Sequence, residues 1–353
     1  MVPRHIEAPP WRRAGLRTAA VVVVIVLGIS GCTGTSSTPQ NPALPAHWSP
    51  FLHVPGVVDV TAPRTDRQPV VAAMGRLSIL SPRHNLSPFA QGADGYVTAP
   101  GPEPYVALAS TAAVAGAGCS FNQDDIYALE PNNRPGVVRV DGTGRAGRFA
   151  DLPGGLLPDG IAFDDVGRFD HRLLVTATAQ NETVLFALDC LGAVTTLTAH
   201  APRMEGGIAV APDSFGSFAG DLVAPDEQSG RIFAIDPAGH ATTLAKSGLP
   251  SGGDIGVESA GFVPPAFGPS VVAYVADRRS PGNPHPGTDS ILELSGTDLA
   301  RASVHAGDLL MASEGGAQTI VVQRHASCTV RHIADGPRTT HAEGHITFLD
   351  DAA

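Results

Sequence analysis

Asp94-Gly95, Asp159-Gly160, Glu205-Gly206 and Glu343-Gly344 each set a carboxylate directly before a glycine and a short apolar run, and Glu258 precedes Gly261 in a looser match. Carboxylates that converge on one axis repel each other, so they hold protons above their ordinary range or take up a cation. Oxygen-only donors at a flexible mouth suit Ca²⁺, or another hard divalent cation, better than zinc. The competing reading is that Asp-Gly and Glu-Gly make good turns and stay solvated. His341 and His345 flank Glu343. Four residues apart on an extended strand, they share one face, either as metal ligands or a general base, or as part of a core hydrogen-bond network. Asp226 and Glu227 end a neighbouring strand at the same mouth, as do Asn181, Glu182 and Glu314. No Gly-x-Ser-x-Gly elbow, His-Glu-x-x-His pair or phosphate loop is present, so serine hydrolase and zinc protease chemistry have no local support.

The elements that must position these carboxylates come from a repeat. Val137–Gly144, Leu185–Gly192 and Ile232–Gly239 align, with Asp141, Asp189 and Asp236 spaced 48 and 47 positions apart. Each is an apolar strand ending in Asp-x-x-Gly, followed by a second strand. The aspartate can accept bonds from turn amides, and the glycine takes the left-handed conformation that closes a tight hairpin. Gly160–Phe163 and Gly207–Val210 precede these hairpins as first strands, and Arg172–Val175 and Asp221–Ala224 as second strands. Units of four short strands, A to D, at this spacing predict an all-β fold, a β-propeller whose A strands line a central channel.

Further units follow. Tyr96–Ala99, Tyr105–Ala109, Val137–Asp141 and Arg145–Asp151 make one. Gly261–Val263, Val271–Ala276 and Ser290–Leu294 make another, and Leu309–Ser313, Thr319–Gln323 and Thr329–Ala334 a last. Val70–Ala73, Arg76–Leu80 and Leu86–Ala90 read as a first unit lacking its A strand, which Gly344–Phe348 would supply. That gives a six-bladed β-propeller with the C-terminal strand closing the first blade. The segment Leu294–Gln318 is short for the three strands it must supply, so five blades is the alternative count. In this scheme the carboxylates lie at the top mouth. Two long B–C loops, Thr111–Pro135 and Arg278–Asp289, fold over the same mouth. Cys119 then falls on the top, and Cys190 and Cys328 in bottom turns, with no good disulfide pair among them.

The N-terminus carries an address. Arg4, Arg12, Arg13 and Arg17 precede the apolar run Ala19–Ile29, which is too short to span a bilayer as a helix and right for a signal-peptide core. Ile29-Ser30-Gly31-Cys32 resembles the bacterial lipobox at all four positions. The resemblance implies a lipoprotein signal peptide over residues 1–31, lipidation of Cys32, and anchoring at the extracytoplasmic face of the cell membrane. Arg12-Arg13 leaves the export route open between general secretion and a twin-arginine signal. Residues 32–55, rich in Ser, Thr, Pro, Gln and Asn, read as a disordered tether, and residues 56–353 as the propeller domain.

The chain has 353 residues and a formal charge of −11. Without residues 1–31 it keeps 19 basic against 33 acidic residues, with Lys246 the only lysine. Nucleic acid is excluded as a partner, and so is a polybasic membrane patch. The membrane is then reached through lipid alone.

Pro158-Asp159-Gly160-Ile161-Ala162-Phe163-Asp164, with the Phe-Ala-Ile-Asp-Pro-x-Gly hairpin at Phe233–Gly239, resembles six-bladed propellers of the gluconolactonase, strictosidine-synthase and NHL-repeat type. In gluconolactonase-like members a Glu, an Asn and an Asp hold a divalent cation that polarises a lactone carbonyl. The resemblance puts Glu343, Glu205 and Asp159 in similar places, while the Asn has no counterpart at an A-strand start. The expected function is a surface propeller that binds a small molecule or protein at its acidic top face, with a divalent cation. The alternatives are a metal-dependent lactonase or esterase and a quinone-dependent sugar dehydrogenase. The last wants a basic, histidine-bearing pocket, against which the acidic mouth argues.

Overall fold

The computed structural model describes residues 45–90, 96–97, 103–132, 134–324 and 328–350. Cys32, the signal segment and Asp94 lie outside them. Among the described residues no helix is long and apolar enough to cross a membrane.

The hairpins expected from Asp-x-x-Gly form as their chemistry requires. Asp141 Oδ1 accepts from the Thr143 and Arg145 amides, Asp189 Oδ1 from Leu191 and Ala193, and Asp236 Oδ1 from Ala238 and His240. Each turn fixes a third-to-fourth strand pair. Four antiparallel four-stranded sheets result. The first holds Val57–Val60, Val70–Ala73, Arg76–Leu80 and Leu86–Phe89, and the second Val106–Leu108, Ile126–Glu130, Gly136–Val140 and Ala146–Asp151. The third holds Leu157–Phe163, Leu173–Ala179, Glu182–Leu188 and Val194–Pro202, and the fourth Ala209–Val210, Leu222–Asp226, Arg231–Ile235 and Ala241–Lys246.

A nine-stranded sheet completes the fold, in two antiparallel groups. One runs Val257–Phe262, Leu309–Ser313, Thr319–Arg324, Cys328–Asp335, with Ala46–His47 added in parallel at its edge. The other runs Ala342–Asp350, Val271–Asp277, Ser290–Leu294, Ser49–His53. A single parallel register pair, Ala260 with His345, joins them. Apolar side chains fill the spaces between neighbouring sheets: Ala72 and Leu77 meet Ile126 and Ala128, Tyr127 and Leu129 meet Phe163 and Val175, and Leu185 meets Leu222 and Phe233. Val223 and Ile232 then meet Val257 and Met311, Leu310 and Val321 meet Val275 and Leu292, and Tyr274 and Ile291 return to Val57 and Val71. The packing closes on itself, a propeller-like arrangement.

Several expectations are corrected. The first sheet has its own inner strand, Val57–Val60, so the C-terminal strand does not complete it. Ala342–Asp350 pairs instead with Val271–Asp277. The cause is a crossing in chain order. After Val257–Phe262 the chain builds two strands of the adjacent group, returns through the helix Gly296–Arg301, and only then adds Leu309–Ser313 beside Val257–Phe262. Consecutive strands are usually neighbours, and the expected order assumed so. The short segment Leu294–Gln318 therefore needs only one of the three strands asked of it. Described strands also fall within the stretch assigned to the tether. Ser49–His53 pairs with Ser290–Leu294, and the buried Trp48 donates its indole N–H to Thr319 Oγ1 at 2.8 Å. Ser49–His53 thus shares a group of strands with Ala342–Asp350, while Ala46–His47 edges the other group.

In the second sheet Ile126–Glu130, read as loop, is the second strand, and Val106–Leu108 is the inner one. The long insertion before Ile126 is then an A–B connection, which moves Cys119 to the face that carries the hairpin turn at Cys190. The two form a disulfide with Cα atoms 6.0 Å apart, where no pair was expected. Asp124 and Asp125 move with the insertion, binding Thr65 and Arg139 respectively, away from the acidic mouth.

Candidate functional site

In an antiparallel sheet the start of the inner strand and the end of the second strand share one edge, so acidic residues at both positions converge. Bulges aim them. Asp159 and Glu258 each fall where the inner-strand register shifts, leaving one residue unpaired and turned from the ladder. Glu205 precedes Gly206 and Gly207, whose amides donate to the Asp159 carbonyl at 3.0 Å and the Glu258 carbonyl at 2.8 Å. A Cβ on Gly207 would stand 2.3 Å from the Gly344 carbonyl oxygen, so glycine here permits inner strands to approach at the axis.

The centre is Tyr105, fully buried, its Oη 2.7 Å from Glu258 Oε1 and 2.6 Å from Glu343 Oε2. A phenol has one proton to give. If it donates to one carboxylate, the other must arrive protonated and donate to the phenol oxygen. The surroundings decide which. Burial, then the charges of Glu343 and Glu314, raise the Glu258 pKa well above the carboxylate range. Burial also pushes Glu343 upward, but hydrogen bonding from His341 and the charges of Arg278 and His341 outweigh it and hold the Glu343 pKa low. Glu343 is thus the anion and Glu258 the acid. Arg278 bridges Glu343, at 3.3 Å, to Glu103. His341 Nε2 lies 3.1 Å from Glu343 Oε1 and 3.2 Å from Glu314 Oε1.

More carboxylates surround this core than cations. Glu314 is pushed up to about 10, by burial and then by Glu343 and Glu227. Glu227 is raised to about 8 by burial and its contact with Glu205, and Glu103 to about 7 by burial and Glu343. Three sets of donor atoms each lie within 4.8 Å of one another: Glu103, Glu258 and Glu343; Glu227, Glu258 and Glu314; and Glu314, His341 and Glu343. Glu314 Oε2 and His341 Nδ1 are buried with no hydrogen-bond partner. The chemistry of the first two sets fits a hard cation, which would replace protons at Glu258 and Glu314.

Of the residues expected at the mouth, Glu258, Glu343, His341, Glu227 and Glu314 come together, whereas Glu182 pairs with His200 at 2.8 Å. Asp159 stands apart, bound to Thr178 Oγ1, with Oδ1 buried and donorless and its pKa raised to about 7 chiefly by burial. Glu205 is held by Arg203 at 2.8 Å, and Arg203 reaches Glu227 at 3.5 Å. Asp226 caps a turn, accepting from the Gln228 amide at 3.1 Å. His345 does not share a face with His341. The left-handed Gly344 and a register shift break the alternation between them. His345 lies deeper, its Nδ1 2.9 Å from Asp59 Oδ2 and its Nε2 2.9 Å from the Ile161 carbonyl. Glu103, Tyr105, Arg203 and Arg278 were not anticipated. Glu103 stands just before an inner strand, like the others, and the misplaced second-sheet strands concealed it. The loop after Arg278 does reach this end, with His285 against Gly315.

No protein-family model and no curated protein matches the sequence. Among solved structures, the chain is similar to a calcium-binding protein, regucalcin, from Agrobacterium tumefaciens str. C58, with a TM-score of 0.52 and 13% identity over 87% of this chain and 84% of that one. It is also similar to a chain of a nidogen/laminin complex (TM-score 0.49, 15% identity, 85% and 88% covered) and to virginiamycin B lyase from Staphylococcus aureus (0.45, 12%, 86% and 96%). At such identity the regucalcin likeness speaks to the propeller fold alone.

Proposed function

We propose that this chain is an exported lipoprotein, anchored through Cys32 at the outer face of the cell membrane, whose propeller holds a divalent cation in its acidic channel mouth and binds a ligand or partner there. The propeller is read as six-bladed, the nine-stranded sheet being two blades joined at the single Ala260–His345 bridge. The observation that carries the cation is the Glu227, Glu258, Glu314 set with the donorless, buried Glu314 Oε2. Glu343, Glu103 and Tyr105 close the set on its other side.

Calorimetric titration of the protein with Ca²⁺, Mg²⁺ and Zn²⁺, followed by a panel of lactones and esters, tests it. Binding of Ca²⁺ or Mg²⁺ in preference to Zn²⁺, without turnover, supports a binding propeller. Metal-dependent turnover of a lactone selects the hydrolase instead. Silence toward all three cations at millimolar concentration removes both.

A further inference from the structure

The channel has a second compartment, on the far side of His345 from the carboxylates. It has a volume of about 460 Å³ and is lined by five inner strands and by Thr61–Pro63, just past the inner strand of the first sheet, with residues such as Leu108, Ile161, Ile208, Phe262 and Phe348 in its walls. That volume is within the range of small-molecule sites. Its inner end is closed by His345. Both ring nitrogens of His345 face acceptors, Asp59 Oδ2 and the Ile161 carbonyl, each at 2.9 Å. Its ring donors are therefore spent, and an anionic head group finds none there. Asp59 is equally committed, accepting from the Val60, Val106 and His345 amides as well as the imidazole. The inner end is thus an internally neutralised pair.

The charged side chain left to a ligand is Asp165, which lines the compartment after the inner strand of the third sheet. No ion pair links it to an Arg, Lys or His among the described residues. It is exposed at the rim of the compartment, beside Ser110. An ammonium group delivered there would meet a carboxylate that no ion pair competes for.

We propose that this compartment binds a small aliphatic amine, its alkyl body against the inner-strand walls and its ammonium group at Asp165. The apolar lining takes the chain, the spent His345 rejects a carboxylate head, and Asp165, without an ion pair among the described residues, selects a cation over a neutral alcohol. The site is separate from the acidic mouth, and its occupancy requires no metal.

The test is calorimetry on the full chain carrying Cys32→Ser, so that no attached lipid competes, with n-octylammonium, 1-octanol and octanoate in the presence of EDTA. The expected order is octylammonium, then octanol, with octanoate not binding. Asp165→Asn should weaken octylammonium by roughly threefold to fivefold, the range of a partly solvated ion pair, and leave octanol unchanged. Ala209→Phe, which puts a ring into the wall, should weaken both, and thermal melting verifies that this variant folds. Octanoate binding as tightly as octylammonium, an Asp165→Asn variant indistinguishable from the parent, or no binding of any of the three overturns the assignment. Because EDTA is present throughout, failure here leaves the cation reading of the opposite mouth untouched.

Discussion

Replacing Glu314 by Gln should stabilise the metal-free protein and abolish its cation binding, two effects of opposite sign. Glu314 rises from an ordinary 4.5 to about 10 in the fold, through burial and the charges of Glu343 and Glu227. A carboxyl group whose folded pKa is raised supports the fold fully below its unfolded pKa, and that support is lost as pH rises toward the folded value. At pH 7.5 the fold must draw a proton onto Glu314 from a solution in which the unfolded side chain is ionised. At about 1.4 kcal/mol per pH unit, the cost is at most about 4 kcal/mol. Glutamine carries no such cost and keeps the shape. Glu227 and Glu258 share the same field, so relief at one site is partly returned by ionisation at another. A gain of about 2 kcal/mol is the working expectation. Calcium reverses the ranking, because at a hundred times its dissociation constant it adds about 2.7 kcal/mol to a protein that binds it and nothing to one that does not. Urea unfolding at pH 5 and pH 7.5, in EDTA and in Ca²⁺, reads all four conditions. A Gln variant less stable than the parent in EDTA at pH 7.5, or equally stabilised by Ca²⁺, would contradict a proton-holding, cation-binding Glu314.

Other parts of the structure give equally direct expectations. The Cys119–Cys190 disulfide closes a separation of 71 residues, so the double Ser variant should lose about 4 kcal/mol in denaturant titration, whereas a loss below about 1 kcal/mol would mean the bridge constrains little. Gly207→Ala should fail to fold or melt far below the parent, since its Cβ meets the Gly344 carbonyl and the Ala260 amide; normal melting would show that the inner strands are less tightly apposed. Asp59→Asn strips the half-buried His345 of its fully buried counter-charge and should cost about 3 kcal/mol near neutral pH. His345 has a raised pKa, its burial being outweighed by Asp59. Its support is therefore complete below the unfolded histidine value and fades as pH climbs through the folded one. The difference between parent and variant should shrink in alkaline buffer, and a pH-independent gap would argue for lost amide contacts alone.

Local features were legible in the sequence and long-range ones were not. The hairpins at Asp141, Asp189 and Asp236 depend on amides two and four residues away, so their residue types were enough to locate them. Glu258 and Glu343 could be placed at the mouth because each sits beside a glycine-bearing inner strand. The exchange of strands between Val257 and Asp350 left no local mark. Val271–Asp277 is an unbroken buried run like the other second strands, and nothing in its own residues says that its inner neighbour lies some seventy positions further on. One such error propagates. Reading Ile126–Glu130 as loop turned the second sheet over, hid Glu103, and carried Cys119 to the wrong face. Tyr105 and Arg278 carry no sequence signature, since a buried phenol between two carboxylates is defined only by what the other sheets bring to it.

In the metal-free protein the protons held by the carboxylate cluster mark the place a cation would take. Calorimetry of Ca²⁺ binding at pH 7.5 in two buffers of different ionisation enthalpy, Hepes and Tris, counts protons released per cation bound. One cation should bind per chain with the release of at least about one proton, because Glu258 and Glu314 are protonated without metal. Binding with the same enthalpy in both buffers, hence without proton release, or no binding at millimolar Ca²⁺, would contradict it.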